Sequence, residues 1–152
     1  MKTNRGEASL SLLTLAGLVG LFIPALQDWF VDAGAPCPGD GSLAHPFCTL
    51  QGAIDAASDG DTIHVAPGTY VENVMINKNL QVIGTEGDQV TIIDGGQVGR
   101  CVTVLGQFGQ APDYTTTVDL QGLTLTNGTA PNGGGLAAYG YYYIMRQSPS
   151  AI

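Results

Sequence analysis

The chain is expected to be an all-β solenoid, a coil of parallel strands entered through one short helix, and three observations predict it. First, short segments with apolar side chains at alternate positions recur: Thr62-Ile63-His64-Val65, Leu80-Gln81-Val82-Ile83, Cys101-Val102-Thr103-Val104 and Leu123-Thr124-Leu125-Thr126. Their spacing is roughly 20 residues, within the range of solenoid repeats. Alternation leaves each strand with one apolar face that it cannot bury alone, and stacking of successive repeats buries it. Second, a weaker row lies between them, at residues 74–76, 90–93 and 136–138, so two strand rows per turn are expected. Third, the corners carry Gly84, Gly95-Gly96, Gly106, Asn127-Gly128 and Gly133-Gly134-Gly135, residues that accept φ > 0, while the two-residue turns of hairpins are missing. A β-sandwich built from the same short strands is the alternative architecture.

Residues 1–35 obey different rules. Lys2 and Arg5 precede an apolar run at 10–26, interrupted by small or weakly polar residues and Pro24, which is the form of a secretory signal. Val31-Asp32-Ala33 and Ala33-Gly34-Ala35 both offer small residues for cleavage. The first is preferred, because the second leaves Pro36 directly after the cut. The alternative is an uncleaved membrane anchor, since the run approaches the ~17 residues that span a bilayer. The protein is therefore expected to be secreted or held at the cell surface.

Export accounts for the cysteines. Cys37 and Cys48 flank a loop rich in turn formers, and in an oxidising compartment a disulfide across it is the natural reading. A zinc site with His45 as third ligand lacks a fourth. Cys101 has no partner and lies among apolar residues, as a buried thiol does. Beyond the loop, residues 49–58 form a short helix: Leu50, Ala53, Ile54 and Ala57 share one face, Thr49 caps the start and Ser58-Asp59-Gly60 ends it. Its apolar face suits a plug over the open end of the coil.

The repeat domain is read as residues 36–140. After Gly140 the alternation and the corners stop, so residues 141–152 are read as a non-repeat tail from a truncated or frame-disrupted reading frame. An open last turn would then favour self-association.

Charge excludes some partners. With 13 acidic against 5 basic residues, the net charge of −8 and the lack of a basic patch argue against nucleic acid and anionic lipid. Asp55, Asp59 and Asp61 form the densest acidic group but do not match the calcium-loop pattern. Calcium there is the one cofactor considered, and none is expected.

The run Phe47-Cys48-Thr49-Leu50-Gln51-Gly52-Ala53-Ile54-Asp55-Ala56-Ala57 is followed by Gly60-Asp61-Thr62-Ile63-His64-Val65 and Gly68-Thr69-Tyr70-Val71-Glu72-Asn73-Val74. Together they resemble the entry module of right-handed parallel β-helix proteins, the pectin lyase-like superfamily, and especially the amino end of pectin methylesterases. Leu80-Gln81-Val82-Ile83-Gly84 and Thr91-Ile92-Ile93-Asp94-Gly95 continue the resemblance, which covers about residues 37–140. It implies a right-handed parallel β-helix of about three to four rungs with an amino-terminal capping helix. That fold hosts lyases, hydrolases, esterases and adhesins, so it does not fix an activity.

The resemblance can be carried over by position. The methylesterases bring a Gln to their oxyanion site where this chain has Gly133-Gly134-Gly135-Leu136-Ala137, and their catalytic aspartates and arginine fall beyond Gly140. Tyr70 and Glu72 match the family's Gly-x-Tyr-x-Glu segment, which looks structural, with Glu72 accepting backbone N–H groups at a corner. His64 alternates with Ile63 and Val65 and is read as an outward strand histidine. Asp94 and Asp119 are the one candidate carboxylate pair for polysaccharide hydrolysis, and Asp94 reads more simply as a turn residue. Asn127-Gly128-Thr129 is a glycosylation sequon that reads better as a corner. No catalytic, cofactor-binding or metal-binding residue is therefore expected. The chain is read as an exported, non-catalytic structural or binding module for polysaccharide or cell-envelope components. The alternative is an amino-terminal fragment of a polysaccharide-active enzyme of pectate lyase, glycoside hydrolase or pectin methylesterase type.

Overall fold

The computed structural model describes residues 25–106, 116–139 and, for the backbone, 142–144. The apolar leader up to residue 24 and the tail beyond residue 144 lie outside the described residues. In chain order the elements are β1 (Asp28–Val31), α1 (Leu50–Ala56), β2 (Thr62–Val65), β3 (Gly68–Val71), β4 (Val74–Ile76), β5 (Leu80–Gly84), β6 (Thr91–Asp94), β7 (Val102–Leu105), β8 (Thr116–Gln121), β9 (Thr124–Thr126), β10 (Leu136–Tyr139) and β11 (Tyr142–Ile144). The strands form three sheets, β1-β2-β5-β8-β11, β3-β6-β9 and β4-β7-β10, called A, B and C below. Every strand pairing is parallel. From β2 to β11 the chain visits sheets A, B and C in turn. Among the described residues the chain is mostly parallel strand with one short helix, consistent with an all-β solenoid.

Three expectations are corrected. There are three strand rows, not two, because β3 and β8 lack a legible apolar stripe: β3 turns only Tyr70 fully inward, and β8 alternates inward Thr116 and Val118 with polar Asp119 and Gln121. The segments at 101–104 and 123–126 consequently belong to sheets C and B and do not extend the row of β2 and β5. The period is not fixed near 20 either. Thr62 pairs with Gln81 and Gln81 with Asp119, steps of 19 and 38 residues, because stacking sets the register and the corners absorb any excess chain.

The limits of the repeat domain also move. β1 lies inside the region read as a leader, yet it pairs with β2 from Asp28↔Thr62 to Val31↔Val65, and Val31 is buried. The folded unit thus begins before residue 36. At the other end β11 pairs with β8 in sheet A, so the strand pattern passes Gly140. Three consecutive tyrosines give no alternation to read, which hides that strand in the sequence.

Register stacks like on like in the interior. Trp29, Ile63, Val82 and Leu120 form one column, Tyr70, Ile93 and Leu125 another, and Val74, Val102 and Leu136 a third. Each fully buried aliphatic side chain contributes about 1.5–3 kcal/mol. Corners pack as tightly as strands: a Cβ on Gly128 would run into the Gly134 carbonyl, and one on Gly134 into that of Gly128. Asn127 just before takes φ 52°, a left-handed conformation that Asn accepts more readily than most residues.

The amino end is closed by three devices. In α1, Leu50, Ala53 and Ile54 are buried, and the Thr49 hydroxyl accepts the Gly52 N–H. The Glu72 carboxylate accepts both the Leu50 N–H (2.8 Å) and the Gln51 N–H (2.9 Å), so it caps the helix start and not a strand corner. The Gln51 amide lies along the free edge of β4, accepting the Met75 N–H at 2.8 Å and donating to the Met75 carbonyl at 3.3 Å. The loop closed by the Cys37–Cys48 disulfide covers the edge of β1: the Phe30 N–H donates to the Gly41 carbonyl, the Phe47 N–H to the Phe30 carbonyl and the Asp32 N–H to the Phe47 carbonyl. Cys101 is free and buried, its thiol 3.0 Å from the Thr126 carbonyl.

Closing an 11-residue separation by a disulfide stabilises the fold by about 3 kcal/mol in the chain-entropy account. Unfolded without reductant, the chain should titrate one thiol, and Cys48→Ser should lower stability by roughly that amount. Three titrating thiols would contradict the assignment.

Candidate functional site

The outer face of sheet A sets carboxylates, amides, a histidine and a phenylalanine side by side. Because successive strands are in register about 4.8 Å apart, outward residues form straight columns across the strands. One column is Asp28, Thr62, Gln81 and Asp119, and the next is Phe30, His64, Ile83 and Gln121. The Phe30 and His64 rings stack at 5.1 Å between centroids and 19° between planes. His64 Nε2 lies 3.1 Å from Asp28 Oδ1, and the Gln121 amide donates to Asp119 Oδ2 at 2.8 Å. Asp119 Oδ1 is buried and has no hydrogen-bond partner among the described residues.

At one edge of this face the disulfide loop rises over β1 and β2. Leu43 and Pro46 of the loop, with Phe30, His64, Ala66 and Thr85, line an open depression of about 230 Å³. The loop can hold these side chains there because the disulfide and its ladder bonds to Phe30 and Asp32 fix both its ends. The described lysine and arginine are engaged elsewhere: Lys78 Nζ donates to the Ala57 carbonyl at the end of α1 (2.7 Å), and Arg100 donates to the Gly133 carbonyl and lies over the Tyr139 ring. The charges on this face are thus Asp28 and Asp119, with Asp32 beside the depression.

The candidate residues from the sequence disperse. Asp94 and Asp119 stand on different sheets, and Asp94 is committed to a corner, with Oδ1 accepting the Gly96 N–H and Oδ2 the Asn127 amide, both at 2.8 Å. They do not form a carboxylate pair. His45 stands in the disulfide loop with both cysteines bonded to each other, so no Cys₂His set forms there. The acidic group diverges: Asp55 accepts from Gln51, Asp59 from the Asn79 N–H, and Asp61 points inward. Among the described residues no group of three or more His, Cys, Asp or Glu is placed to hold a metal ion. His64 faces outward as expected, half-buried against Phe30.

Sequence reasoning passed over Asp28 and Phe30, and it took Asp61 only as one member of the acidic group at residues 55–61. Asp61 is 3% exposed and gathers three donors, the Gln27 N–H (2.9 Å), the Trp29 indole (2.9 Å) and the Ser58 N–H (2.8 Å). Burial on its own pushes its pKa up. The bonds from Ser58, Trp29 and Gln27, with the charge of Lys78, more than offset this and hold it below its ordinary 3.8. The signal in the sequence was the lone tryptophan, which needs an acceptor for its N–H when packed inside.

Parallel strands in three sheets, an apolar interior and an outer face of amides, carboxylates and two stacked rings define a repetitive β scaffold with an acidic outer face. The family model described as "Protein of unknown function (DUF1565)" matches residues 34–132, and the chain belongs to that family, which is typically associated with β-helix proteins. No curated protein and no solved structure matches the chain.

Asp61 gives a pH test. Its pKa is lower in the folded than in the unfolded state, so its stabilisation is fully present above about 3.8 and is lost as the pH falls through its folded value. Asp61→Asn should cost about 2 kcal/mol at pH 7, since a charge-assisted network is removed. The gap between wild type and variant should narrow below pH 4. A gap that stays constant down to pH 2 would show that the carboxylate is not what the network holds.

Proposed function

We propose that the chain is an exported, right-handed parallel β-helix module of about three to four rungs, similar to the pectin lyase-like superfamily, that binds carbohydrate on the outer face of sheet A without catalysis of its own. One observation carries the reading: two in-register columns set a ring pair beside carboxylates and amides on a single face. A pyranose has the matching chemistry, an apolar C–H face to lie on rings or aliphatic side chains and vicinal hydroxyls to bridge carboxylate or amide oxygens. The right-handed preference of parallel crossover connections supports the hand. The disulfide supports an oxidising compartment.

Charge selects among glycans. With carboxylates on the face and both described cations engaged elsewhere, a polyuronate would be repelled, and a neutral or amino-sugar polymer of the cell envelope fits better. The scattering of Asp94 and Asp119 onto separate sheets favours binding over hydrolysis.

Affinity electrophoresis in gels cast with chitosan, a neutral β-glucan or polygalacturonate tests this. Retardation is expected in one of the first two and none in the third, and Phe30→Ala should weaken it about tenfold, or 1.4 kcal/mol. Wild-type retardation only by polygalacturonate, or an unchanged Phe30→Ala, would contradict the reading. Turnover of pectin above a blank that is abolished by Asp119→Ala would replace it with an enzymatic one.

A further inference from the structure

The two small-residue sites at which a leader would be removed both lie at the carboxyl side of β1. A cut after Ala33 takes away the whole strand, and a cut after Ala35 does the same. The consequences are specific. Val31, 1% exposed, leaves the core, and Ile63 and Val65 of β2 lose their neighbours in the stack. Asp61 loses two of its three donors, Gln27 and Trp29, while it stays at the buried end of α1. The Tyr70 hydroxyl, which donates to the Ala66 carbonyl, loses the Ala33 N–H that it accepts. The disulfide loop loses its ladder to Phe30 and Asp32. A buried carboxylate left with one of its three donors and an uncovered core strand are each severe losses.

Immediately ahead of β1, at residues 21–27, the sequence offers no comparable site. Among the described residues the first hydrogen-bonded atom is the Gln27 nitrogen, one residue past the end of the apolar run at Leu26. In the junction at residues 21–27 Ala25 is the single small residue, with Pro24 before it and Ile23 where the second small residue of a cleavage site belongs. Run and domain thus abut without a linker. A run of about 17 residues is at the short end of what a bilayer crossing needs.

We propose that the leader is not removed: the apolar run at 10–26 stays joined to β1 and tethers the domain to the bilayer, with sheet A starting directly at the membrane-proximal end of the chain. This rests on the export reading of the proposed function.

The test is expression of the full chain with a carboxy-terminal tag in a Gram-negative host, followed by alkaline carbonate extraction, intact mass and alkylation of free thiols. The expected product resists carbonate, keeps its full leader mass and has one alkylatable cysteine. A released protein starting at residue 34 or 36, or at any residue between 24 and 28, would overturn the tether. A carbonate-resistant product with three alkylatable thiols would uphold the tether and refute export, which keeps the two readings separable. Two secreted versions sharpen the point. With a foreign cleavable leader joined before Leu26 the domain should accumulate folded, and with the same leader joined before Gly34 its yield should fall more than tenfold. Equal yields would mean that β1 is dispensable and would overturn the argument.

Discussion

The first turn of a stack of parallel strands has no turn before it, and the rest of this structure depends on how that end is closed. A strand row buries its apolar face and satisfies its backbone only if something lies on each side. Here the amino end supplies substitutes. The loop held by Cys37–Cys48 bonds the edge of β1, the Gln51 amide mimics a ladder partner for Met75 of β4, and Leu50, Ala53 and Ile54 of α1 lie over the interior. Two carboxylates lock these pieces together. Glu72, at the end of β3, holds the first N–H groups of α1, and Asp61, just past its end, holds β1 through Gln27 and Trp29. Each accepts hydrogen bonds from groups that water would otherwise have to satisfy.

Once the first turn is closed, later ones need only repeat its inward pattern. The interior columns stay mainly aliphatic from β2 to β10, with Tyr70, Thr91 and Thr116 the buried exceptions on the strands, whereas the connections vary so much that one register step is twice another. The outward positions are free of that demand. That division explains how the outer face of sheet A can carry Asp28, Phe30, His64, Gln81, Asp119 and Gln121 while Ile63, Val82 and Leu120 behind it hold the core.

How much of this was legible in the sequence follows from the same division. The helix and the disulfide were legible, because spacing, capping residues and turn-rich flanks are local signals. Alternation in β2, β5 and β7 was legible because Ile, Val and Leu mark one face. The division into three rows was not, since β3 in sheet B offers one inward tyrosine and β8 in sheet A uses threonine inside. β1 was hidden for a different reason: Trp29 and Val31 continue the apolar character of the run before them, and nothing local separates a leader from a core strand. The outer face of sheet A was illegible as a unit, since successive members of each column lie 19 to 38 residues apart and only the register brings them together.

Amide hydrogen exchange on the wild type and on Glu72→Ala, compared site by site, tests the central role of the amino-terminal closure most directly. Removing the carboxylate frees two helix N–H groups without touching any strand ladder. The account predicts exchange at least tenfold faster in α1 and β2 to β4, with β8 and β9 little changed, because each turn is supported chiefly by its neighbours. Uniform acceleration throughout the strands, or no change in α1, would contradict it.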